Sequence, residues 1–374
     1  MAKFLFYDDK LINILLQNEK PSGGAAVQAY GWIRGLHENG HEVYIMTSEP
    51  GNESIKKECD NLNFIPLYDK KKGLRWFRWV YYRIPFLFKK IKNTKPDFLY
   101  QGVPSWGSFV VAILCKLLNV KYVLRISNDN LLDDRYYINY DKIRRFFLNL
   151  GFRFSYCILC QNDYQVGVIH KQFPNKRSVK IANPIIWTTE KQPTTTVDRK
   201  YIAWLGLYQY QKNLKLLYEI ASQATNDLFC VAGKESSKCD EETRIYLEKL
   251  EQLPNVKFVG FLFRDQVLDF LSQAKFLLNT SHYEGFSNTF LEAMYVGTPI
   301  LTHTNVNPDK IISNYRLGLV YDNAHDLLQQ LSEIKPDDYA CLSNNVMEYV
   351  TQNHDYRILA NKLAAYLHTD DFRV

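Results

Sequence analysis

The 374-residue sequence contains no uninterrupted apolar run of the roughly 18 or more residues that a bilayer-spanning helix needs, which excludes a helical membrane span. A secretory leader is not expected either, because Met1-Ala2-Lys3-Phe4-Leu5-Phe6-Tyr7 meets Asp8 and Asp9 before an apolar segment of leader length has formed. These residues read as a first strand. Cysteine is sparse: the chain has seven, an odd number without framework spacing. Cys157 and Cys160 are separated by two residues, but no second pair stands at zinc-binding spacing. Both fall in the apolar run 156–160 and read as packed, reduced thiols, as in a cytosolic protein. A strong charge bias is also missing. The net charge of +6 is a mild excess that suits an anionic small molecule or a membrane surface and does not imply nucleic acid. No Asp-x-Asp metal motif sits at a plausible strand end, and no sequence repeat relates the two halves.

What is present is a globular composition, 46% hydrophobic and 23% charged, in a chain long enough for two domains. Short β-branched and aromatic runs bounded by turn residues predict strands at 3–7, 42–47, 63–66, 98–101, 122–126, 156–160 and 179–181. Helical patterns lie between them. One runs from about 25 to 38 and stops at Asn39-Gly40, a usual C-terminal signal. After Asn183-Pro184 a polar stretch, 188–199, reads as a linker. The alternation then resumes, with strands expected at 201–205, 228–231, 256–260, 276–279, 299–302 and 319–321. The fold class expected is α/β, with two doubly wound domains, 1–187 and 188–374, facing a central cleft. The amphipathic helix at about 356–368 has no assignable place.

The most informative segment runs from Ser281 to Ile300, Ser-His-Tyr-Glu-Gly-Phe-Ser-Asn-Thr-Phe-Leu-Glu-Ala-Met-Tyr-Val-Gly-Thr-Pro-Ile. It follows a predicted strand, and Ser287 or Asn288 is a suitable helix N-cap. Glu284 then lies in the loop before the helix and Glu292 in its first turns. Carboxylates accept from paired sugar hydroxyls, and the backbone N–H groups of Gly285, Phe286, Ser287, Asn288 and Thr289 suit an anionic phosphate. One segment therefore carries both sets of groups that a nucleotide sugar requires. Its Glu–seven residues–Glu spacing, with the Glu-Ala-Met and Gly-x-Pro that follow, resembles the motif of the family-4 retaining glycosyltransferases. That resemblance, strongest over 200–325 and weaker over 1–185, implies two Rossmann-like domains (the GT-B fold). It implies that Glu284 contacts the donor sugar and Glu292 the ribose hydroxyls.

Three further segments fit the same resemblance. Trp204-Leu205-Gly206-Leu207 leads into Lys212, which stands where the family places a lysine that neutralises the donor diphosphate; Glu284 and Lys212 are the expected catalytic residues. The family usually has an arginine directly after the glycine. This chain has Leu207, and Arg264 is the substitute considered. Pro21-Ser22-Gly23-Gly24 opens a helix after the first strand and resembles the family's glycine-rich loop, so Gly23 and Gly24 are expected on the donor side. The long loop before them also suggests function. Asn128 and Asp129, after the strand at 122–126, are the expected contacts to the acceptor or sugar.

The resemblance implies transfer of a hexosyl group from a nucleoside-diphosphate sugar to a hydroxyl with retention, needing neither a metal nor a further cofactor, in bacterial-type polysaccharide, lipid-linked oligosaccharide or glycoconjugate synthesis. The acceptor would be a sugar or a lipid-linked sugar. Two other readings stay open: another enzyme of the same fold, such as a phosphorylase, and a degenerate protein that binds a nucleotide sugar or a partner without catalysis. The retained glutamate pair speaks against an epimerase. Residues 70–92 combine nine Lys or Arg with Trp76 and Trp79 and carry no acid, and 140–154 repeat the flavour with Lys142, Arg144, Arg145 and Arg153. The 70–92 stretch predicts contact with the inner, anionic face of a membrane by an otherwise cytoplasmic protein. No nucleic-acid motif accompanies it.

Overall fold

A computed structural model describes all residues except 18, 20–22, 70, 75–76, 139–140, 187–198, 238 and 370–374. The chain forms two compact units, Met1–Ile186 with Tyr356–Val374, and Trp187–Asp355. The stretch expected as a linker lies almost wholly outside the described residues.

The first unit is built on seven strands: β1 (Lys3–Tyr7), β2 (Glu42–Thr47), β3 (Asn63–Pro66), β4 (Phe98–Gln101), β5 (Lys121–Arg125), β6 (Cys157–Cys160) and β7 (Ser178–Lys180). Their order is β3-β2-β1-β4-β5-β6-β7, and every pairing is parallel. The strands are apolar on both faces because helices cover both. Phe4, Phe6 and Tyr100 pack to one side, while Leu5, Leu99 and Leu124 pack to the other. Cys157 and Cys160 are free thiols in the two opposite cores, and burial pushes each up to about 12.

The second unit has six parallel strands: β8 (Tyr201–Tyr208), β9 (Phe229–Glu235), β10 (Val256–Gly260), β11 (Ala274–Asn279), β12 (Ile300–His303) and β13 (Gly318–Tyr321). Their order is β10-β9-β8-β11-β12-β13. In each sheet the winding reverses once, between β1 and β4 and between β8 and β11. Such reversals open a crevice at the carboxyl ends of the strands. Strand β8 runs three residues past the expected end at 205, because Gly206, Leu207 and Tyr208 continue to pair with Gly233, Lys234 and Glu235.

The last helix, Tyr356–His368, returns to the first unit, so the second ends at Asp355 and not at 374 as expected. Leu359, Leu363 and Leu367 complete the core around Phe4 and Trp32. The helix crosses Gly24–Glu38 at Gly35, where a Cβ atom would stand 2.4 Å from the Tyr356 carbonyl oxygen and 2.7 Å from the Ala360 methyl. Glu38 closes the contact by accepting from the Tyr356 hydroxyl at 2.8 Å, Arg357 Nε at 2.7 Å and Arg34 Nη2 at 2.8 Å. Burial alone would raise the Glu38 carboxyl, but these donors outweigh it and bring it down to about 2.

Gly35→Ala should therefore destabilise the protein by about 1–3 kcal/mol in denaturant unfolding, the usual cost of overpacking. A depressed carboxyl contributes stability above its unfolded value and loses it as pH falls through the folded one. Wild-type stability should accordingly decline between pH 4.5 and about 2 more steeply than that of Glu38→Gln, followed by unfolding at a series of acid pH values.

Candidate active site

The switch point of the second sheet brings together two loops seventy residues apart in sequence. After β8 a short 3-10 turn, Tyr210–Lys212, ends at Asn213, whose left-handed backbone (φ 51°) redirects the chain into the helix Leu214–Gln223. Asparagine tolerates that region, and its side chain caps the helix by accepting from Leu216 N at 3.2 Å. Lys212 is thereby fixed at the carboxyl end of β8. The loop after β11 carries Glu284, and the Lys212 ammonium pairs with its carboxylate, each side chain being largely buried at 16% and 12% exposed. Ser281 Oγ donates to the same carboxylate at 3.1 Å.

Further bonds join the loops. Trp204 Nε1 donates to Thr280 Oγ1 at 3.0 Å, and that hydroxyl donates to the Lys212 carbonyl at 2.8 Å. Gln211 Nε2 donates to the Tyr283 carbonyl at 2.9 Å, and His282 N donates to the Gln211 carbonyl at 2.9 Å. Gly206 also has a steric role. A Cβ there would come within 3.3 Å of the Lys212 stem, and one on its partner Gly233 would sit 2.0 Å from the Gly206 oxygen. The lysine stem lies against β8 at Gly206, and Gly233 lets the β8 backbone approach β9 there.

Glu284 leads through Gly285 and Phe286 to Ser287, the N-cap of the helix Asn288–Tyr295. Ser287 Oγ exchanges a bond with Thr289 Oγ1 at 2.8 Å and makes no cap bond to the backbone. Thr289 lines a small recess with Lys212, Asn279, Thr280 and Ser281. Phe290, Leu291, Ala293 and Met294 are buried, which leaves Asn288, Glu292 and Tyr295 half-buried at i, i+4, i+7 on the other face. The helix ends at Gly297, whose φ of 72° suits only glycine without strain, and Pro299 follows as the chain enters β12. The structure thus brings Gly206, Lys212, Glu284 and Thr289 together, with Glu292 one helical turn from Thr289.

Arg264 is placed apart. It opens the helix Arg264–Ser272 after β10, the far edge strand, and its buried Nη1 has no hydrogen-bond partner among the described residues. Lys234 stands beside Leu207 in the β8–β9 register, and both are exposed. Sequence reading missed this lysine because its proximity to Leu207 is set by strand pairing. It missed His282 too, whose ring stacks on Tyr210 at 4.7 Å and whose imidazole is lowered by burial.

In the first unit Gly23 caps the helix Gly24–Glu38 and is exposed, and a Cβ there would meet nothing within 4 Å. Pro21 and Ser22 lie outside the described residues. Asn128 accepts from Asn130 N at 3.3 Å as the cap of a short turn. Asp129 accepts from Gln165 Nε2 at 2.7 Å and Asn162 Nδ2 at 3.2 Å. Burial, only partly offset by these amides, raises its carboxyl. The carboxyl ends of β1 and β4 hold a cavity of about 240 Å³ lined by Tyr7, Asp8, Asp9, Tyr68, Trp79, Gln101 and Trp106, among others. The two indoles meet edge to face at 4.9 Å. The long loop after β1 was the one sequence signal pointing there. A larger cavity of about 420 Å³ opens at the opposite end of the second sheet, by Ile202, Phe276 and Tyr339. Among the described residues, no three His, Cys, Asp or Glu side chains are grouped to hold a metal ion.

Residues 186–352 match the family described as Glycosyl transferases group 1, and residues 22–185 that described as Glycosyltransferase Family 4. Among curated proteins, a 2-deoxystreptamine N-acetyl-D-glucosaminyltransferase of Niallia circulans is 23% identical over 156 residues, 41% of this chain and 38% of its own. An alpha-monoglucosyldiacylglycerol synthase of Streptococcus pneumoniae is 26% identical over 172 residues, 41% of this chain and 39% of its own. The chain thus covers about two fifths of the length of these relatives. Among solved structures, HepE of Anabaena with UDP and glucose has a TM-score of 0.75 at 14% identity, covering 99% of this chain and all of its own. The sucrose-phosphate synthase of Thermosynechococcus elongatus has a TM-score of 0.77 at 14% identity, covering 98% of each. These likenesses establish the two-domain GT-B fold.

Thr280→Val should test the stitching of the site. It leaves the buried Trp204 N–H and the Lys212 carbonyl without their shared hydroxyl, so unfolding should show a loss of about 1–3 kcal/mol.

Proposed function

This chain belongs to the group 1, family-4-type glycosyltransferases, and from that premise we propose that it transfers a hexose from a nucleoside-diphosphate sugar to a hydroxyl acceptor with retention at the anomeric carbon. The observation that carries the reading is the Lys212–Glu284 pair held at the switch point of the second sheet. A buried cation whose partner is a single carboxylate is poised for exchange. When the donor enters, the diphosphate takes the ammonium, and the Glu284 carboxylate is released to accept from hydroxyls of the sugar. Glu292, a turn into the helix, accepts from the ribose hydroxyls, and the helix N-terminus at Asn288 and Thr289 faces the phosphates.

The anomeric carbon–oxygen bond to the diphosphate breaks as the acceptor oxygen bonds to that carbon on the same face. The acceptor proton passes to the departing phosphate oxygen, so no protein base is needed. Lys212 stabilises the charge that grows on the leaving group. No metal or cofactor takes part in this scheme. Where the family usually has an arginine after the glycine, Lys234 supplies the second cation from the neighbouring strand. The acceptor binds on the first unit, where Trp106 offers a ring to a sugar and Gln101, Asp8 and Asp9 offer polar groups. The names of the two curated relatives, one an N-acetylglucosaminyltransferase and one a glucosyl lipid synthase, support a hexosyl donor and a role in bacterial-type glycan or glycolipid synthesis.

A degenerate binding protein is the rival favoured by Leu207. The decisive measurement is a melting-temperature panel with UDP-, GDP- and ADP-sugars, since a ligand of the native state must raise stability. One class should do so, and NMR of the product should then show the donor's anomeric configuration, with turnover unchanged by EDTA. Stabilisation without turnover on any acceptor would leave the binding protein standing. Glu292→Ala, losing charge-assisted hydrogen bonds of about 1.5–3 kcal/mol, should weaken donor binding about ten- to a hundred-fold. Glu284→Ala should chiefly lower kcat. Lys234→Met should raise the donor KM while Arg264→Met leaves it near wild type; the reverse pattern returns the role to Arg264.

A further inference from the structure

The helices Ser108–Leu117 and Lys142–Phe154 of the first unit pack closely, with Gly151 set against Ser108. Their inner faces are spent on the core: Val111, Leu114, Leu148 and Phe152 are buried in it. A surface helix would ordinarily be polar on its other face. Here the outward positions of the second helix are Ile143, Phe146, Phe147, Leu150 and Phe154, a stripe at helical spacing. Ile143 is 69% exposed and Phe146 59%. The first helix adds Phe109, Ile113 and Leu117, the last 71% exposed, and Phe109 joins the two stripes through ring contacts to Phe147 and Phe154 at 5.5 and 6.1 Å.

Cations edge this apolar ridge: Lys116, Lys142, Arg144 and Arg153 are exposed, and the Lys116 ammonium lies 5.8 Å from the Phe154 ring centre. Neither helix contains an aspartate or glutamate, and the neighbouring helix Ile84–Thr94 has none either. Asp141 caps Arg144 N at 2.8 Å and pairs with the Arg144 side chain at 3.7 Å. An apolar ridge of this size calls for a cover. A second copy docked on the same face would set cations against cations, whereas an anionic bilayer complements both parts.

We propose that this ridge is the membrane-docking surface of the protein, with Ile143, Phe146, Phe154 and Leu117 entering the acyl boundary of an anionic lipid leaflet and the four cations lying at its phosphates. This sets the contact apart from the one expected at 70–92, where Leu74, Phe77, Val80 and Tyr81 are also exposed. In that stretch Trp79, Tyr82, Phe86 and Phe88 turn toward the protein's own core, and Arg83 is withdrawn between the Tyr68 and Trp79 rings, 4.9 Å from each.

The full chain should co-sediment with vesicles of phosphatidylcholine mixed with phosphatidylglycerol and not with phosphatidylcholine alone. Near the surface each cation contributes about 1 kcal/mol, so each one removed should lower partitioning roughly five-fold. Lys142→Glu/Arg144→Glu/Arg153→Glu should abolish binding. Ile143→Ser/Phe146→Ser should weaken it strongly while keeping the wild-type melting temperature, because both side chains are more than half exposed. Phe77→Ser/Val80→Ser should bind as the wild type does. The proposal is overturned if the two ridge variants bind undiminished, if neutral vesicles bind equally well, or if the free protein is a dimer that the serine variant separates. Donor-induced stabilisation is independent of lipid, so failure here leaves the donor reading untouched.

Discussion

The parallel pairing of β8 with β11, in which Tyr201 lies beside Ala274 and Ala203 beside Leu277, is the constraint on which the site depends. It places two strand ends side by side at the one point where the sheet reverses its winding. The loops that leave those ends need no long-range folding of their own. They meet because their strands meet, and bonds among Trp204, Thr280, Gln211 and Tyr283 fix them. Lys212 and Glu284 are then held by backbone geometry, which limits the entropy that each long side chain loses on pairing.

The pair itself is a compromise. Two charges largely withdrawn from water gain little net stability, and either one alone would be costly. In the proposed reading their value lies in exchange: an anion that replaces the carboxylate finds a cation already largely desolvated and oriented. Gly206 lets the lysine stem lie along β8, and Gly233 lets the two strands approach closely beside it.

In the first unit, burial works in two directions. The closing helix Tyr356–His368 is apolar on one face and is consumed by the core beside Gly35, whereas Lys142–Phe154 remains apolar on its outer face as well. Aromatic residues also divide by use: Phe4, Phe98 and Phe152 fill the interior, while Trp79 and Trp106 line the cavity above β1 and β4.

The amino-acid sequence determined the alternation of strands and helices, the division into two α/β halves and the local form of the helix that begins at Asn288. Those depend on hydrophobic periodicity, caps and turn residues, which act within a dozen positions. It also set the chemistry of the Glu284–Glu292 segment through spacing on one loop and one helix. Strand order and packing decided the rest. The distance in sequence between Lys212 and Glu284 hides their contact, and Lys234 comes beside Leu207 only through β8–β9 register. Whether an aromatic residue at 79, 86 or 146 faces core or solvent cannot be read from composition, since it depends on which helix face meets the sheet. The last helix follows the same logic: its leucines predicted an apolar partner, and only the assembled first unit supplied the vacant strip between Phe4 and Gly35 that takes them.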